Sequence, residues 1–433
     1  MKSQAEILTK LGITALNPMQ REARKAILHG DEVMLLSPTG TGKTLAFLLP
    51  LLNTLSPKEE LIQALILVPS RELAIQIEQV FREMGSGFRS QSVYGGRPGS
   101  KERQDLKNPP ALLIGTPGRV ADHLRREAFD VRRIKTLILD EFDKSLETGF
   151  EGEMKQIVRD LPNVQKKILT SATQAVEVPD FLGLADPVTI DYLGTRSSRL
   201  RIVEAVSEQK DKLDVLEALL GETGNGRGII FCNVKSTLAF VGEFLDSRGI
   251  DYGTFMGGLE QQDRERALIK FRNGTHRILL ATDLAARGID VPELDFIIHY
   301  QLPLREAEFT HRNGRTARMH ANGTAYVLRY AGLPAAEYLG KVEAAELPLT
   351  PRRAENSNWT TLYVSAGRRD KISKGDLAGL FFKQGGLQKG ELGVIELLTD
   401  CAFVGVPKKK AEALVALLNN TRVKKRKVRI LEV

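Results

Sequence analysis

Glu32-Val-Met-Leu-Leu-Ser-Pro-Thr-Gly-Thr-Gly-Lys-Thr44 joins an apolar run of strand length to a glycine-punctuated turn, and the apolar stretch 45–55 follows it. Strand, turn and helix in this order are the setting in which a G-x-G-K-T loop holds phosphate. Gly40 and Gly42 let backbone N–H groups approach phosphate oxygens with no Cβ in the way. The helix that opens there adds about half a positive charge at its N-terminus. Thr39, Gly40, Thr41, Gly42, Lys43 and Thr44 are therefore expected to bind a nucleotide. Lys43 would pair with the β- and γ-phosphates, and Thr44 would ligate Mg²⁺. Ser37 stands where the longer form of the motif begins with glycine.

Outward from this loop, short β-branched runs alternate with helical patterns. Strands are expected at 32–36, 64–68, 111–115, 136–139 and 168–170, with helices at 71–84 and 144–159. Such alternation predicts a parallel sheet covered on both faces. The polar, aperiodic stretch 193–199 reads as a linker. A second alternating series then places strands at 202–206, 228–231, 252–255, 277–280, 296–299 and 323–328. After a lapse at 347–358, the style changes to β-α-β-β-α-β, a split βαβ unit. Its strands are expected at 361–365, 393–397, 401–406 and 428–431, and its helices at 373–384 and 408–419. The expected domains are residues 1–193, 200–346 and 358–433.

A phosphate loop needs an acidic metal partner at the end of a neighbouring strand. Asp140 and Glu141 cap the run 135–139 and meet that need. Asp140 would hold Mg²⁺ largely through water, because this ion keeps much of its hydration. Glu141 would orient and deprotonate the attacking water.

The composition excludes several classes. Apolar residues make up 42% of the 433, too many for a mainly disordered chain. Cys232 and Cys401 are the only cysteines, so neither a disulfide scaffold nor a cysteine-zinc site is available. No apolar run reaches the roughly 20 residues of a membrane helix. The N-terminus carries no apolar signal region, and a cytoplasmic protein is expected. The six histidines show no metal spacing. The net charge of +8 sits entirely in residues 357–433, which hold 15 basic and 7 acidic residues; the preceding 356 hold 47 of each sign. Lys408–Lys410 and the run Lys424, Lys425, Arg426, Lys427 are densest, and they point to a polyanion partner.

With these motifs assembled, the chain resembles the DEAD-box RNA helicases of superfamily 2 over residues 12–345. Gln20 with Gly12 is similar to the adenine-reading Q motif. Pro69-Ser-Arg-Glu-Leu-Ala74, Gly95-Gly96 and Thr116-Pro-Gly-Arg119 are similar to the backbone-binding motifs of the first domain. Asp140-Glu-Phe-Asp143 stands where the family has Asp-Glu-Ala-Asp, and Ser171-Ala-Thr173 matches the coupling motif. In the second domain the matches are 229–233, Gln261-Gln-Asp-Arg264, the Thr282–Asp290 stretch and the His311–Arg318 stretch.

The resemblance implies two RecA-like domains with ATP between them, and α/β architecture throughout the core. It implies RNA contacts from Arg71, Gly96, Thr116, Arg119, Gln261, Arg264 and Thr282. A rail of phosphates explains the arginines, and reading the backbone implies little sequence preference in the core. It also implies that Arg315 and Arg318 act as arginine fingers; they share a face if that stretch is helical. Asp290 would contact ribose, while Ser171 and Thr173, with Asp143 and His311, would couple the acidic motif to the second domain. Phe142 adds bulk beneath the metal site. Ile13 takes the usual aromatic place of the Q motif and its proline is shifted to Pro18. The family's upstream adenine-stacking aromatic would fall before Met1, which leaves adenine reading to Gln20.

Residues 361–433 resemble the RNA-binding domain of the bacterial DbpA-type group, which acts on 23S ribosomal RNA. The matches are 361–368, 401–407 and 423–428. The resemblance implies an RRM-like sheet. Tyr363 and Phe403 are candidates for base stacking and equally for core, and the basic tail is expected to hold RNA phosphates. Trp359 is expected to pack at the domain junction. The function implied is ATP-dependent local unwinding of short RNA duplexes, with ATP and Mg²⁺ as cofactors, RNA as partner, pre-ribosomal particles as a setting and a monomeric state. A DNA translocase and an ATP-gated RNA clamp or general RNA chaperone remain the alternatives.

Overall fold

The computed structural model describes residues 3–96, 99–173, 178–193, 200–283, 291, 294–316, 322–348, 350 and 352–433. These fall into two compact units, one up to residue 193 and the other from residue 200 on.

The first unit is built on seven strands: β1 (Glu32–Leu36), β2 (Ala64–Leu67), β3 (Ser90–Val93), β4 (Leu112–Gly115), β5 (Thr136–Leu139), β6 (Lys166–Ser171) and β7 (Val188–Asp191). They run parallel in the order 3-4-2-5-6-1-7. The central strands β2, β4 and β5 are buried at every position, as strands covered on both faces must be. Ser90-Gln-Ser-Val93 carries no apolar run, because β3 is an edge strand and half of its surface need not be apolar. The helix expected at 144–159 is two helices, Phe142–Glu147 and Glu151–Arg159. Gly149, at φ 85°, takes the left-handed conformation that ends the first of them. The expected linker lies largely outside the described residues.

The second unit repeats the plan with β8 (Leu200–Ser207), β9 (Gly228–Cys232), β10 (Tyr252–Phe255), β11 (Ile278–Thr282), β12 (Phe296–His299), β13 (Gly323–Tyr330) and β14 (Glu343–Ala344). These are parallel in the order 10-11-9-12-13-8-14. The two parallel sheets are RecA-like α/β layers.

The same unit ends in a small antiparallel sheet of β15 (Trp359–Val364), β16 (Ile395–Leu397), β17 (Ala402–Pro407) and, past the hairpin strands β18 (Arg422–Val423) and β19 (Arg426–Lys427), β20 (Ile430–Glu432). Its order is 16-17-15-20, that of a split βαβ unit. Leu362, Val364, Val404 and Val406 point inward and share a core with Leu377 and Phe381 of the helix Lys374–Lys383 and with Leu414 and Leu418 of the helix Lys408–Leu418.

Candidate functional site

In a parallel sheet the chemistry gathers beyond the C-terminal ends of the strands. Here the strand order sorts the predicted residues into two groups along that edge. β5, β6 and β1 are consecutive neighbours. They bring together Asp140–Asp143, Ser171–Thr173 and the phosphate loop. β3, β4 and β2 bring together Gly95-Gly96, Thr116–Arg119 and Arg71.

The phosphate loop turns with Gly40 at φ 80° and Gly42 at φ 84°, conformations that glycine takes without strain. Gly42 caps the helix Lys43–Leu51 and offers it no side chain, so the first N–H groups face outward from the loop. Lys43 is folded against the loop, its Nζ donating to the carbonyls of Ser37 at 2.5 Å and Pro38 at 3.0 Å. Ser37 Oγ donates to Thr41 Oγ1 at 2.8 Å. Thr39 Oγ1 is buried and makes no hydrogen bond among the described residues. Uncapped amides, a retracted lysine and an orphaned hydroxyl form a set of donors suited to a polyphosphate.

Gln20 sits under this loop. Asn17 and Gln20 form a capping box for the helix Pro18–His29. The Gln20 amide also donates to the Gly42 carbonyl at 3.2 Å, and Asn17 Nδ2 donates to that of Thr41 at 2.9 Å. Asn17 escaped the sequence reading, although the sequence Asn17-Pro-Met-Gln20 is itself a capping signal.

Asp140 is buried at the end of β5, and its carboxylate accepts from Thr170 Oγ1. Burial, with the Glu141 carboxylate beside it, pushes its carboxyl up to about 6. A divalent cation at this position would hold it ionised. Glu141 is left-handed, with φ 50°, and its N–H donates to Thr170 Oγ1 at 3.2 Å. Thr173 Oγ1 donates to Asp143 at 3.0 Å, and Ser171 Oγ donates to the Thr173 carbonyl at 2.7 Å. The acidic and coupling motifs are thus one network. Burial raises the Asp143 carboxyl as well. Phe142 turns away from this network into the apolar cluster that holds Leu137, Leu139 and Leu169.

On the other half of the edge, Arg71 and Arg119 converge on the loop after β3. A Cβ on Gly96 would lie 2.5 Å from Arg71 Nη1. Arg119 Nε donates to the Tyr94 carbonyl at 3.2 Å. Thr116 caps the helix Pro117–Arg125 and is buried. Glu102 was not anticipated: it is buried, 3.2 Å from Arg119 and 2.9 Å from His123 Nε2, and it orients the arginine.

In the second unit Gln261 opens the helix Gln261–Arg272, and Arg264 stacks over Phe255 with its guanidinium 5.0 Å from the ring centroid. Thr282 ends β11 and is buried. The helix Glu306–Asn313 stops before Arg315, and Thr316 bridges to Leu294. Arg315 is therefore not on a helix face, and the spacing argument for Arg315 and Arg318 does not apply; Arg318 and Asp290 lie outside the described residues. Arg312 was overlooked. It is buried, forms an ion pair with Asp283, and donates to Asn233 Oδ1 and the Gln301 carbonyl, each at 2.7 Å. It ties together the ends of β9, β11 and β12.

The basic tail forms the β18–β19 hairpin. Lys424 pairs with Asp376 at 2.7 Å and Arg426 with Asp370 at 3.4 Å. Lys425 and Lys427 are exposed.

Three families match in the same order. DEAD/DEAH box helicase covers residues 17–181, Helicase conserved C-terminal domain covers 211–320, and DbpA RNA binding domain covers 361–431. The DEAD-box ATP-dependent RNA helicase CshB of Bacillus subtilis is 33% identical over 74% of this chain and 75% of its own length. The chain belongs to the DEAD-box ATP-dependent RNA helicases. This helicase is of the DbpA type. The ATP-dependent RNA helicase DbpA of Bacillus subtilis is 29% identical to it across 98% of the chain and 96% of that protein. The helicase also superposes on the structure of S. cerevisiae Dbp5 bound to RNA and ADP BeF3, with a TM-score of 0.68 and 29% identity, over 78% of this chain and 92% of that one.

Proposed function

We propose that this helicase uses Mg²⁺ and ATP to open short duplexes in 23S ribosomal RNA during large-subunit assembly in the cytoplasm. The observation that carries the target is the C-terminal domain, which matches the DbpA RNA-binding domain and holds the whole net charge of the chain.

Gly40, Gly42, Thr39 and Thr41 line the phosphate cradle, and Lys43 swings from the Ser37 and Pro38 carbonyls to the phosphates. Thr44 and Asp140 would hold Mg²⁺, which would supply charge neutralisation at the phosphates. Glu141 accepts a proton from the attacking water. Gln20, already bonded to the Gly42 carbonyl, links base recognition to the loop. Arg315 and Arg318 act as fingers on the γ-phosphate, and Asp290 contacts ribose. Ser171 and Thr173 carry the nucleotide state outward from Asp143. Arg71, Gly96, Thr116, Arg119, Gln261, Arg264 and Thr282 hold the RNA backbone, and Lys424, Lys425, Arg426 and Lys427 anchor the target.

The test is the steady-state ATPase rate at one fixed salt with no polymer, single-stranded DNA, generic RNA and fragments of 23S rRNA. One rRNA fragment is expected to stimulate most strongly, and replacing Lys425 and Lys427 by alanine is expected to remove that preference. Equal stimulation by every RNA would overturn the rRNA target, and stimulation by DNA would overturn the RNA assignment.

A further inference from the structure

Side chains on β15 alternate between two faces. Thr360, Leu362 and Val364 point into the core, while Trp359, Thr361 and Tyr363 point the other way. On the neighbouring strands Phe403, Gly405 and Glu396 share that outer face, since Tyr363 pairs with Phe403, Thr361 with Gly405 and Glu396 with Phe403. An outer sheet face with two aromatics is the kind of platform on which bases stack. In this protein most of it is covered, and Tyr363 is half-buried. Thr361 has no exposed surface at all, and Phe403 is buried.

What covers it is the C-terminal end of the helix Gln261–Arg272 of the second core domain, with the turn that follows. Thr361 and Gly405, side by side and small, leave a dent in the face, and Asn273 fills it. Asn273 Nδ2 donates to Thr361 Oγ1 at 3.3 Å, and the Thr275 and Thr361 hydroxyls are 2.7 Å apart. A Cβ on Gly405 would come within 3.3 Å of the Asn273 carbonyl, so glycine permits the approach. At one side Arg272 pairs with Glu396 at 2.7 Å, both largely shielded from solvent. At the other, Trp359 lies against Gly274, where a Cβ would meet it at 3.9 Å. The connecting segment is fastened too. Arg277 Nε donates to the Glu355 carbonyl at 2.7 Å, the Asp251 N–H donates to Asn356 Oδ1 at 2.8 Å, and Ser357 Oγ donates to the Gly274 carbonyl.

We propose that the outer face of the C-terminal sheet is a docking surface for the second core domain and not a stacking platform for bases. The two domains then travel as one rigid body. RNA held by the C-terminal domain is presented in a fixed orientation to the core, from a surface other than this face. The β18–β19 hairpin fits that requirement: Lys424 reaches Asp376 on the helix Lys374–Lys383, which packs on the opposite side of the sheet.

Trp359 is the only tryptophan of the chain and sits in this junction, so its fluorescence reports the contact directly. In the whole 433-residue chain, Arg272→Glu, Glu396→Arg and Thr361→Arg are each expected to shift its emission to the red and increase its quenching by acrylamide. The double charge reversal, Arg272→Glu with Glu396→Arg, should bring both back toward wild type, which a merely unfolded domain would not do. Unchanged quenching in both single charge reversals would overturn the docking. A tenfold loss of RNA affinity in Tyr363→Ala, with Trp359 quenching unchanged, would overturn the exclusion of bases from this face.

Discussion

Phe142 gives a test in which the family pattern and the packing of this chain pull in opposite directions. Replacing it with alanine restores the usual Asp-Glu-Ala-Asp reading of the acidic motif. Yet Phe142 is only 1% exposed, and it shares its cluster with Leu137, Leu139, Leu169 and Ile157. Truncating a fully buried phenylalanine costs about 3–5 kcal/mol, part lost transfer energy and part cavity. Against a domain stability of about 5–15 kcal/mol, that is about a fifth of the total or more. For a domain of this size about 1 kcal/mol moves the midpoint by 2–4 °C, so the first domain of Phe142→Ala should melt roughly 10 °C lower. The assay is calorimetry of the full chain, with urea unfolding as a check on the size of the loss. Asp140, Glu141 and Asp143 are unchanged in this variant, so below the new midpoint RNA-stimulated ATP hydrolysis should persist. A loss under about 1 kcal/mol would mean that the neighbouring side chains close over the space, and it would refute the view that Phe142 is a core residue serving the fold instead of the metal site.

Gly42→Ala would force a non-glycine residue to φ 84° and set its Cβ 2.4 Å from Gln20 Nε2. At about 1–3 kcal/mol for such strain, nucleotide affinity should drop by about tenfold or more in a fluorescent-nucleotide titration. Arg312→Ala leaves Asp283 without its partner in a largely buried network; a cost of about 3 kcal/mol is expected in chemical denaturation of the second domain. Burial, helped by the Arg312 charge, holds the His299 imidazole down to about 3. The unfolded chain therefore takes up the proton first, so stability is full above the ordinary value near 6.5 and falls as pH drops toward 3. About 2 kcal/mol should be lost between pH 7 and pH 5, and His299→Gln should flatten that slope in pH-dependent melting. Glu102→Gln should weaken RNA binding, by fluorescence anisotropy, with nucleotide affinity unchanged, because it orients Arg119 and touches nothing at the phosphate loop.

The parts of this molecule that were legible from sequence are those whose signal is local. An apolar strand, a glycine turn and a helix at 32–51 could be read directly because each residue's neighbours in sequence are its neighbours in space. The same holds for the buried runs of β2, β4 and β5. The edge strand Ser90–Val93 was silent, since it carries no apolar run, whereas the edge strand Tyr252–Phe255 of the second sheet was read. The break at Gly149 was hidden because a single left-handed residue can end one helix and let the next resume the same apolar period.

The site was legible in its chemistry and less so in its supports. Lys43, Asp140 and Ser171 announce themselves by motif, whereas Glu102 and Arg312 act through partners that only the folded sheet brings near: Glu102 meets Arg119 and His123 of the helix Pro117–Arg125, and Arg312 meets Asp283 and Asn233 just past the ends of β11 and β9. The C-terminal sheet marks the limit of what pattern can say. Alternation along Trp359–Val364 sends Leu362 and Val364 into the core on one face and puts Thr361 and Tyr363 on the other. Whether that face meets water, a base or another domain is decided by Asn273, which lies 88 residues away from Thr361. A periodicity specifies which way a side chain points; it carries no information about what arrives to cover it.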